Sequence, residues 1–163
     1  MRRTVQGIVL REINYKEADK ILTVLTREEG KLTLKARGCR RKNSRLLASS
    51  QLLVYSELAI TQRGEFITLV EGDPLTQFRR LGEDIDKLAL ASYFAEVTEK
   101  TVQEGEVCPD ILSLLLNCLY ALDTLDKPLE QVKAVFQLRL LTLTGLAPLL
   151  DTCVVCGNPQ PEE

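Results

Sequence analysis

The sequence predicts an α+β fold: an N-terminal five-stranded β-barrel or sandwich followed by an α-helical bundle. Three observations carry this. Five short β-rich runs, separated by turn signals, fall within the first half of the chain. After Gly72-Asp-Pro74 that pattern stops and helical stripes of apolar residues take over. No repeat or low-complexity linker divides the two halves, so they are expected to pack together.

The elements follow in order. Val5–Glu12 is a short run of β-formers, and Ile21–Thr26 is a denser one. Glu28-Glu-Gly30 is a hairpin turn signal. Lys31–Arg37 alternates cleanly, with Leu32, Leu34 and Ala36 on one face and Lys31, Thr33, Lys35 and Arg37 on the other. Leu53–Thr61 and Phe66–Val70 are two further strands, joined through Arg63-Gly64-Glu65. The longest gap, Gly38–Leu52, lies between strands three and four, where a five-stranded OB-type barrel often carries a short helix. Residues 82–104 are helix-permissive, with Ile85, Leu88, Ala91, Ala95 and Val102 along one stripe. Pro109 opens a second helix whose stripe is Ile111, Leu115, Cys118, Leu122 and Leu125, widened by Leu112, Leu116 and Leu119 into a largely buried element. Pro128 opens a third helix that stops at Gly145, with Pro148 just beyond. The expected division is an OB-type domain over 1–78, a helical domain over 79–150, and a zinc-knuckle segment over 151–163.

Composition bounds the chemistry. The chain has 163 residues, 45% of them apolar and 27% charged, which suits a globular core and not a disordered chain. No apolar run approaches the ~18 residues of a membrane helix, and no sustained apolar region follows Arg2 and Arg3, so neither a membrane partner nor a secretion signal is expected and the default compartment is the cytoplasm. The five cysteines are odd in number and irregularly spaced, unlike a disulfide framework. Histidine is absent, which excludes Ser-His and Cys-His catalysis. The carboxylate pairs Glu17/Asp19, Glu28/Glu29 and Asp84/Asp86 lie in polar stretches and read as solvated surface. No Gly-rich phosphate loop occurs, so no nucleotide cofactor is expected.

The net charge of −2 hides an asymmetry. Residues 1–45 hold thirteen Lys/Arg against five Asp/Glu, a net of +8, while the rest hold eight against eighteen, a net of −10. Within the basic part, Lys31, Lys35, Arg37, Arg40, Arg41, Lys42 and Arg45 place seven cations in fifteen residues with no acid among them. A solvated edge strand would account for Lys31 and Lys35. It does not account for the missing acids, because such a run repels itself unless an anionic partner relieves it. A strand face passing into a cationic loop is a strip that binds phosphates by charge and counterion release. Binding of single strands usually adds aromatic stacking platforms. The candidates are Tyr15, in a polar loop, and Tyr55 and Phe66, which could equally be core. Two rivals stay open: an RNA-binding OB module, and a protein-interaction scaffold whose basic strip meets an acidic partner.

Cys153-Val-Val-Cys156-Gly157 has the spacing of a zinc knuckle, which aims two thiolates at one metal. A tetrahedral site needs four ligands, and Cys39, Cys108 and Cys118 lack knuckle spacing, so this is half of a site. It would be completed by residues absent from this chain or by a second copy; a vestigial or redox pair is the alternative, although the βαβ setting of a thioredoxin motif is missing.

Gly7-Ile-Val-Leu-Arg11, Tyr15-Lys-Glu-Ala-Asp-Lys20, Leu25-Thr-Arg-Glu-Glu-Gly-Lys31, Ala36-Arg-Gly-Cys-Arg-Arg-Lys42 and Ser44-Arg45-Leu46 together resemble the N-terminal domain of the RecO family of bacterial recombination mediators. The resemblance extends through the helical region to Cys153-x-x-Cys156-Gly157, where that family begins its zinc-binding segment. It implies a protein that is not an enzyme, binds single- and double-stranded DNA, anneals complementary strands, and acts with RecR to help load RecA on strands coated by single-stranded-DNA-binding protein (SSB). It further implies docking on the acidic tail of SSB. The family's DNA-binding role falls here on Lys35, Arg37, Arg40, Arg41, Lys42 and Arg45, with Lys31 added from the strand pattern. The family's zinc segment continues to a second cysteine pair, whereas this sequence stops at Glu163, so a fragment or a short form with zinc ligands Cys153 and Cys156 alone is expected. After Arg79 and Arg80 at its start, the helical body carries only Lys87, Lys100, Lys127, Lys133 and Arg139 as cations, and their spacing places no site for an acidic tail.

Overall fold

The computed structural model describes residues 1–125 and 127–159; the last four residues of the expected zinc-knuckle segment lie outside them. Five strands, β1 (Arg2–Tyr15), β2 (Asp19–Thr26), β3 (Gly30–Ala36), β4 (Tyr55–Arg63) and β5 (Phe66–Thr76), close into a barrel in the order β1-β2-β3-β5-β4. All neighbours are antiparallel except β3 and β5, which pair in parallel from Leu34/Ile67 to Ala36/Leu69. This is an OB-type barrel. Its interior is filled by the inward residues of every strand, among them Val5, Val9, Leu22, Val24, Leu34, Leu58, Ile60 and Leu69.

Two strands outrun their sequence signals. β1 pairs with β4 through Arg2–Ile8 and with β2 through Gly7–Tyr15, and it turns from one partner to the other near a bulge between Val9 and Arg11. Polar residues at its ends are held by cross-strand pairing, which hydrophobic periodicity does not report. β5 runs on through Gly72 and Pro74, with register shifts against β4 at Ala59/Ile60 and Tyr55/Ser56. A Cβ at position 72 would collide with Ser49, so only glycine lets the loop close over the strand there.

The gap between β3 and β4 carries no helix. It is a chain of turns, with Arg41, Ser44 and Leu47 each donating its N–H to the carbonyl three residues back. Ser44 diverts the path by accepting the Leu46 N–H on its own hydroxyl, the local competition that disfavours helix at serine. Cys39 and Leu46 are buried in the barrel core and pin the loop to it.

A 3₁₀ turn (Arg79–Glu83) leads into α1 (Ile85–Thr101), α2 (Pro109–Thr124) and α3 (Leu129–Leu143). Asp84 caps α1 by accepting the N–H groups of Asp86 and Lys87. Asp123 of α2 accepts the N–H groups of Arg80 and Leu81, fastening the turn to the bundle. Pro109 is at the first position of α2, and Gly145, at φ +81°, follows the α3 cap in the left-handed conformation glycine favours. The buried stripe of α2 holds Ile111, Leu112, Leu115, Cys118, Leu119 and Leu122 as the sequence predicts; Leu114 joins them, Leu116 is half-buried, and Leu125, just past the helix, is exposed. Along the stripe of α1, Ala91, Ala95 and Val102 are buried as the sequence predicts, with Phe94 and Thr98 beside them, whereas Ile85 and Leu88 face outward at its N-terminal end. The helical core includes Phe94 stacked on Phe136 with ring centroids 4.1 Å apart. Ile8, Leu10 and Leu25 from the outer face of the barrel join this same core, so barrel and helices are packed, not tethered. Among the described residues no helix is long and apolar enough to cross a membrane.

Candidate nucleic-acid interface

The alternation of β3 is as its sequence demands: Leu32, Leu34 and Ala36 are buried, and Lys31, Thr33 and Lys35 point the other way. What covers that outer side differs along the strand. At the Gly30 end Lys31 lies against α1 and donates its ammonium to the Glu99 carbonyl at 2.7 Å, while Gly105 donates its N–H to the Lys31 carbonyl. Lys31 is therefore a junction residue, roughly 20 Å along the strand from Arg37 at ~3.3 Å per residue, and it does not extend the strip.

Lys35, at the open end, lies 4.6 Å from the centroid of the Tyr15 ring and 3.9 Å from the Asp19 carboxylate. Lys16 approaches the same ring at 5.5 Å. Tyr15 is thus flanked by two ammonium groups at the mouth of the β1–β2 turn, a cation–π arrangement. The basic loop is tied to this turn. The Gly38 N–H donates to Asp19, the Arg40 N–H donates to the Ala18 carbonyl at 3.0 Å, and the Arg40 guanidinium donates to the Glu17 carbonyl. Arg37, Arg40, Arg41, Lys42 and Arg45 are all exposed. Among the described residues none of the five enters an ion pair, whereas Arg2, Arg3 and Arg11 elsewhere on the barrel pair with Glu71, Glu29 and Glu99. The structure therefore gathers Tyr15, Lys16, Lys35 and the loop cations on one rim, with Glu17 and Asp19 of the β1–β2 turn as acids beside them. Lys16 was not singled out by sequence; its adjacency to Tyr15 was the signal.

The other two aromatics separate. Tyr55 packs on the helical core and donates its hydroxyl to Gln6 at 3.2 Å; burial pushes its pKa up. It is a junction residue. Phe66 is 77% exposed at the β4–β5 hairpin, so it is not core.

The knuckle at 153–157 is formed. The Gly157 N–H donates to the Cys153 carbonyl at 2.8 Å, and glycine takes φ +71° there. The N–H groups of Cys156 and then Val155 face the Cys153 sulfur and, with the Cys156 thiol, hold the Cys153 pKa below the ordinary cysteine range. Two thiols presented this way match half of a tetrahedral zinc set. Among the described residues no group of three or more metal-ligating side chains is assembled, since Cys39 is buried in the barrel and Cys118 in the bundle.

A groove of about 680 Å³ runs between α2 and α3. Leu114, Ala121, Val132 and Val135 give it an apolar lining, and among the described residues Lys127, Arg139 and Asp110 are its charged groups. Sequence did not bring the two cations together because Lys127 precedes α3 and Arg139 lies near its far end, and only the packing of α2 against α3 sets both on one cavity.

Comparison with known proteins agrees with this architecture. Residues 1–78 match the family described as Recombination protein O N terminal, and residues 82–163 match Recombination protein O C terminal. The chain is 34% identical over 152 residues to the DNA repair protein RecO of Acetivibrio thermocellus, covering 93% of this chain and 61% of that protein. It is 36% identical over 151 residues to the DNA repair protein RecO of Caldicellulosiruptor saccharolyticus, covering 93% and 62%. With the namesake from Symbiobacterium thermophilum it shares 36% over 159 residues, covering 98% and 63%. The chain thus spans a little over three fifths of the length of these relatives. An OB-type barrel, a helical bundle packed on its outer face and both halves of the family pattern in one chain place this protein in the RecO family.

Proposed function

We propose that the chain is a non-enzymatic DNA-binding and strand-annealing module that serves DNA repair. The observation that carries this reading is the rim of exposed cations from Arg37 to Arg45, without ion pairs among the described residues and held to the β1–β2 turn by main-chain hydrogen bonds. A loop fixed before binding loses little conformational entropy when a polyanion docks on it. Lys35, Arg37, Arg40, Arg41, Lys42 and Arg45 neutralise phosphates of single- or double-stranded DNA with little sequence preference, because backbone contacts carry no base information. Once one strand is neutralised, a complementary strand approaches against less repulsion. Base pairing then supplies the free energy, so no nucleotide hydrolysis is needed. That the relatives are DNA repair proteins favours DNA over RNA as the partner.

In the same reading the chain acts with RecR and SSB in loading RecA. The α2–α3 groove, apolar with Lys127 and Arg139, has the chemistry to accept the acidic tail of SSB. Cys153 and Cys156 would supply two thiolates to a structural zinc whose remaining ligands lie outside the described residues; the metal would fix the loop, and no step depends on it.

The test is charge reversal. Arg40→Glu with Arg41→Glu should weaken binding to all DNA sequences and lower the salt slope by about 2, one unit for each phosphate left without its cation. An unchanged affinity and slope in the folded double variant would falsify the assignment of the rim. Equal-length RNA titrated in parallel addresses the RNA-binding rival, which a strong preference for RNA would favour. Pull-down after nuclease treatment addresses the scaffold, which requires capture to survive without nucleic acid.

A further inference from the structure

Directly paired residues of neighbouring strands share a face, so the outer surface of the barrel can be read row by row. One end is covered: Ile8 and Leu25, paired across β1 and β2, lie in the core shared with the helices. The other end is open. Ile13 pairs with Ile21, Ile21 with Lys35, and Lys35 with Thr68, and none of the four is in either buried core. Tyr15, paired with Asp19, lies one row beyond on the same face. Thr23 pairs with Thr33 on the other side of Lys35, and the Leu34/Ile67 pairing sets Phe66 beside Thr33. Tyr15 and Phe66 therefore bracket Lys35 across β1-β2-β3-β5.

A single exposed phenylalanine is ordinary on a protein surface. Here it is 77% exposed, opposite Arg63 in its hairpin, on the same open sheet face as a tyrosine flanked by two ammonium groups. The two rings are about 20 Å apart on strand spacing and rise, a span that fits the ~4–16 nucleotides held by one OB fold.

We propose that this outer face takes single-stranded nucleic acid, with Phe66 and Tyr15 as base-stacking platforms at its two ends and Lys35 on the phosphates between them. The inference rests on the DNA-binding reading and sharpens it. Bases in a duplex already stack on each other and offer no free face, so the platforms act on single strands alone while the basic loop engages either form. The rim then supplies affinity and the sheet face supplies the preference for unpaired DNA.

The experiment compares an oligo-dT strand and a duplex of equal length on the whole chain. Phe66→Ala and Tyr15→Ala should each bind oligo-dT about tenfold more weakly, as expected for loss of one stacked base, and bind the duplex as the parent does. The chain contains no tryptophan, so Phe66→Trp installs the only indole. Its fluorescence should be quenched by oligo-dT and unaffected by the duplex, with parental affinity retained. Parental oligo-dT binding by Phe66→Ala, an unquenched Phe66→Trp, or equal loss on both forms of DNA overturns the stacking role. If Arg40→Glu/Arg41→Glu still loses binding in that case, the DNA-binding reading survives the failure. If that variant also binds like the parent, the reading falls with it.

Discussion

Lys31 donates its ammonium to the main-chain carbonyl of Glu99 at 2.7 Å, joining the first residue of the basic stretch to the last turn of α1. The acceptor is one of the carbonyls that a helix end leaves without an internal partner. One lysine of β3 thus stabilises the junction, while Lys35, four residues on and on the same side of the strand, lies half-buried over Tyr15 and 3.9 Å from Asp19.

The two lysines should separate in experiment. Lys31→Met keeps the aliphatic stem and loses the hydrogen bond, worth ~1 kcal/mol, or about 2–4 °C of Tm. Its DNA affinity should be parental. Lys35→Met should show the reverse, weaker DNA binding with little change in Tm. Thermal melts and DNA titrations on both variants check this, and a loss of DNA affinity in Lys31→Met would return that residue to the strip.

Gly30 should tolerate no side chain. It takes φ +71°, and a Cβ there would fall inside contact distance of the Glu106 carbonyl, where the loop after α1 crosses the β2–β3 turn. Gly30→Ala should cost more than about 2 kcal/mol, since a strained φ and a clash with backbone add. Denaturant unfolding reads the loss. Gly64→Ala, at φ +61° in open space, is the control and should cost less.

Truncation of the bundle core should be severe. Phe136 is fully buried against Phe94, and Phe136→Ala should cost about 3–5 kcal/mol. Because Ile8, Leu10 and Leu25 share this core, the barrel should lose stability with the helices, as a single transition in both near- and far-UV circular dichroism. Two separated transitions would mean that the halves fold independently.

The cysteines should differ in their response to pH. Cys153 has its pKa lowered by the amides of Cys156 and Val155, so its reactive thiolate persists to lower pH than in an ordinary cysteine. Burial pushes Cys118 up to about 11, so it stays protonated through neutral pH. Iodoacetamide labelling followed by peptide mass spectrometry should find Cys153 modified well before Cys118, and bound zinc should protect Cys153 and Cys156 together. Labelling of Cys118 as fast as Cys153 in the folded chain would contradict the burial of that thiol.

The barrel and the order of its elements were legible because period-two alternation in Lys31–Ala36 and the β-rich runs around it are local signals, and so were the proline and glycine that bound α2 and α3. The ends of β1 and β5 were not, because Arg2 and Pro74 are held in strands by the distant Thr61 and Ser56, and Tyr15 by Asp19 across a polar turn, pairings that apolar periodicity does not report. The turn path of the basic loop was also hidden, since it depends on Cys39 and Leu46 finding the barrel core.

By itself the sequence determined the class of fold, the knuckle spacing of Cys153 and Cys156, and the concentration of cations between Lys31 and Arg45. The tertiary structure decided which of those cations act together. Alternation states which side of a strand a residue takes, but not what lies over that side. α1 covers Lys31, Tyr15 and Asp19 lie against Lys35, and the pairing of β5 with β3 sets Phe66 on the same sheet face. Each of those relationships is made by packing between residues distant in the chain, which no local pattern encodes.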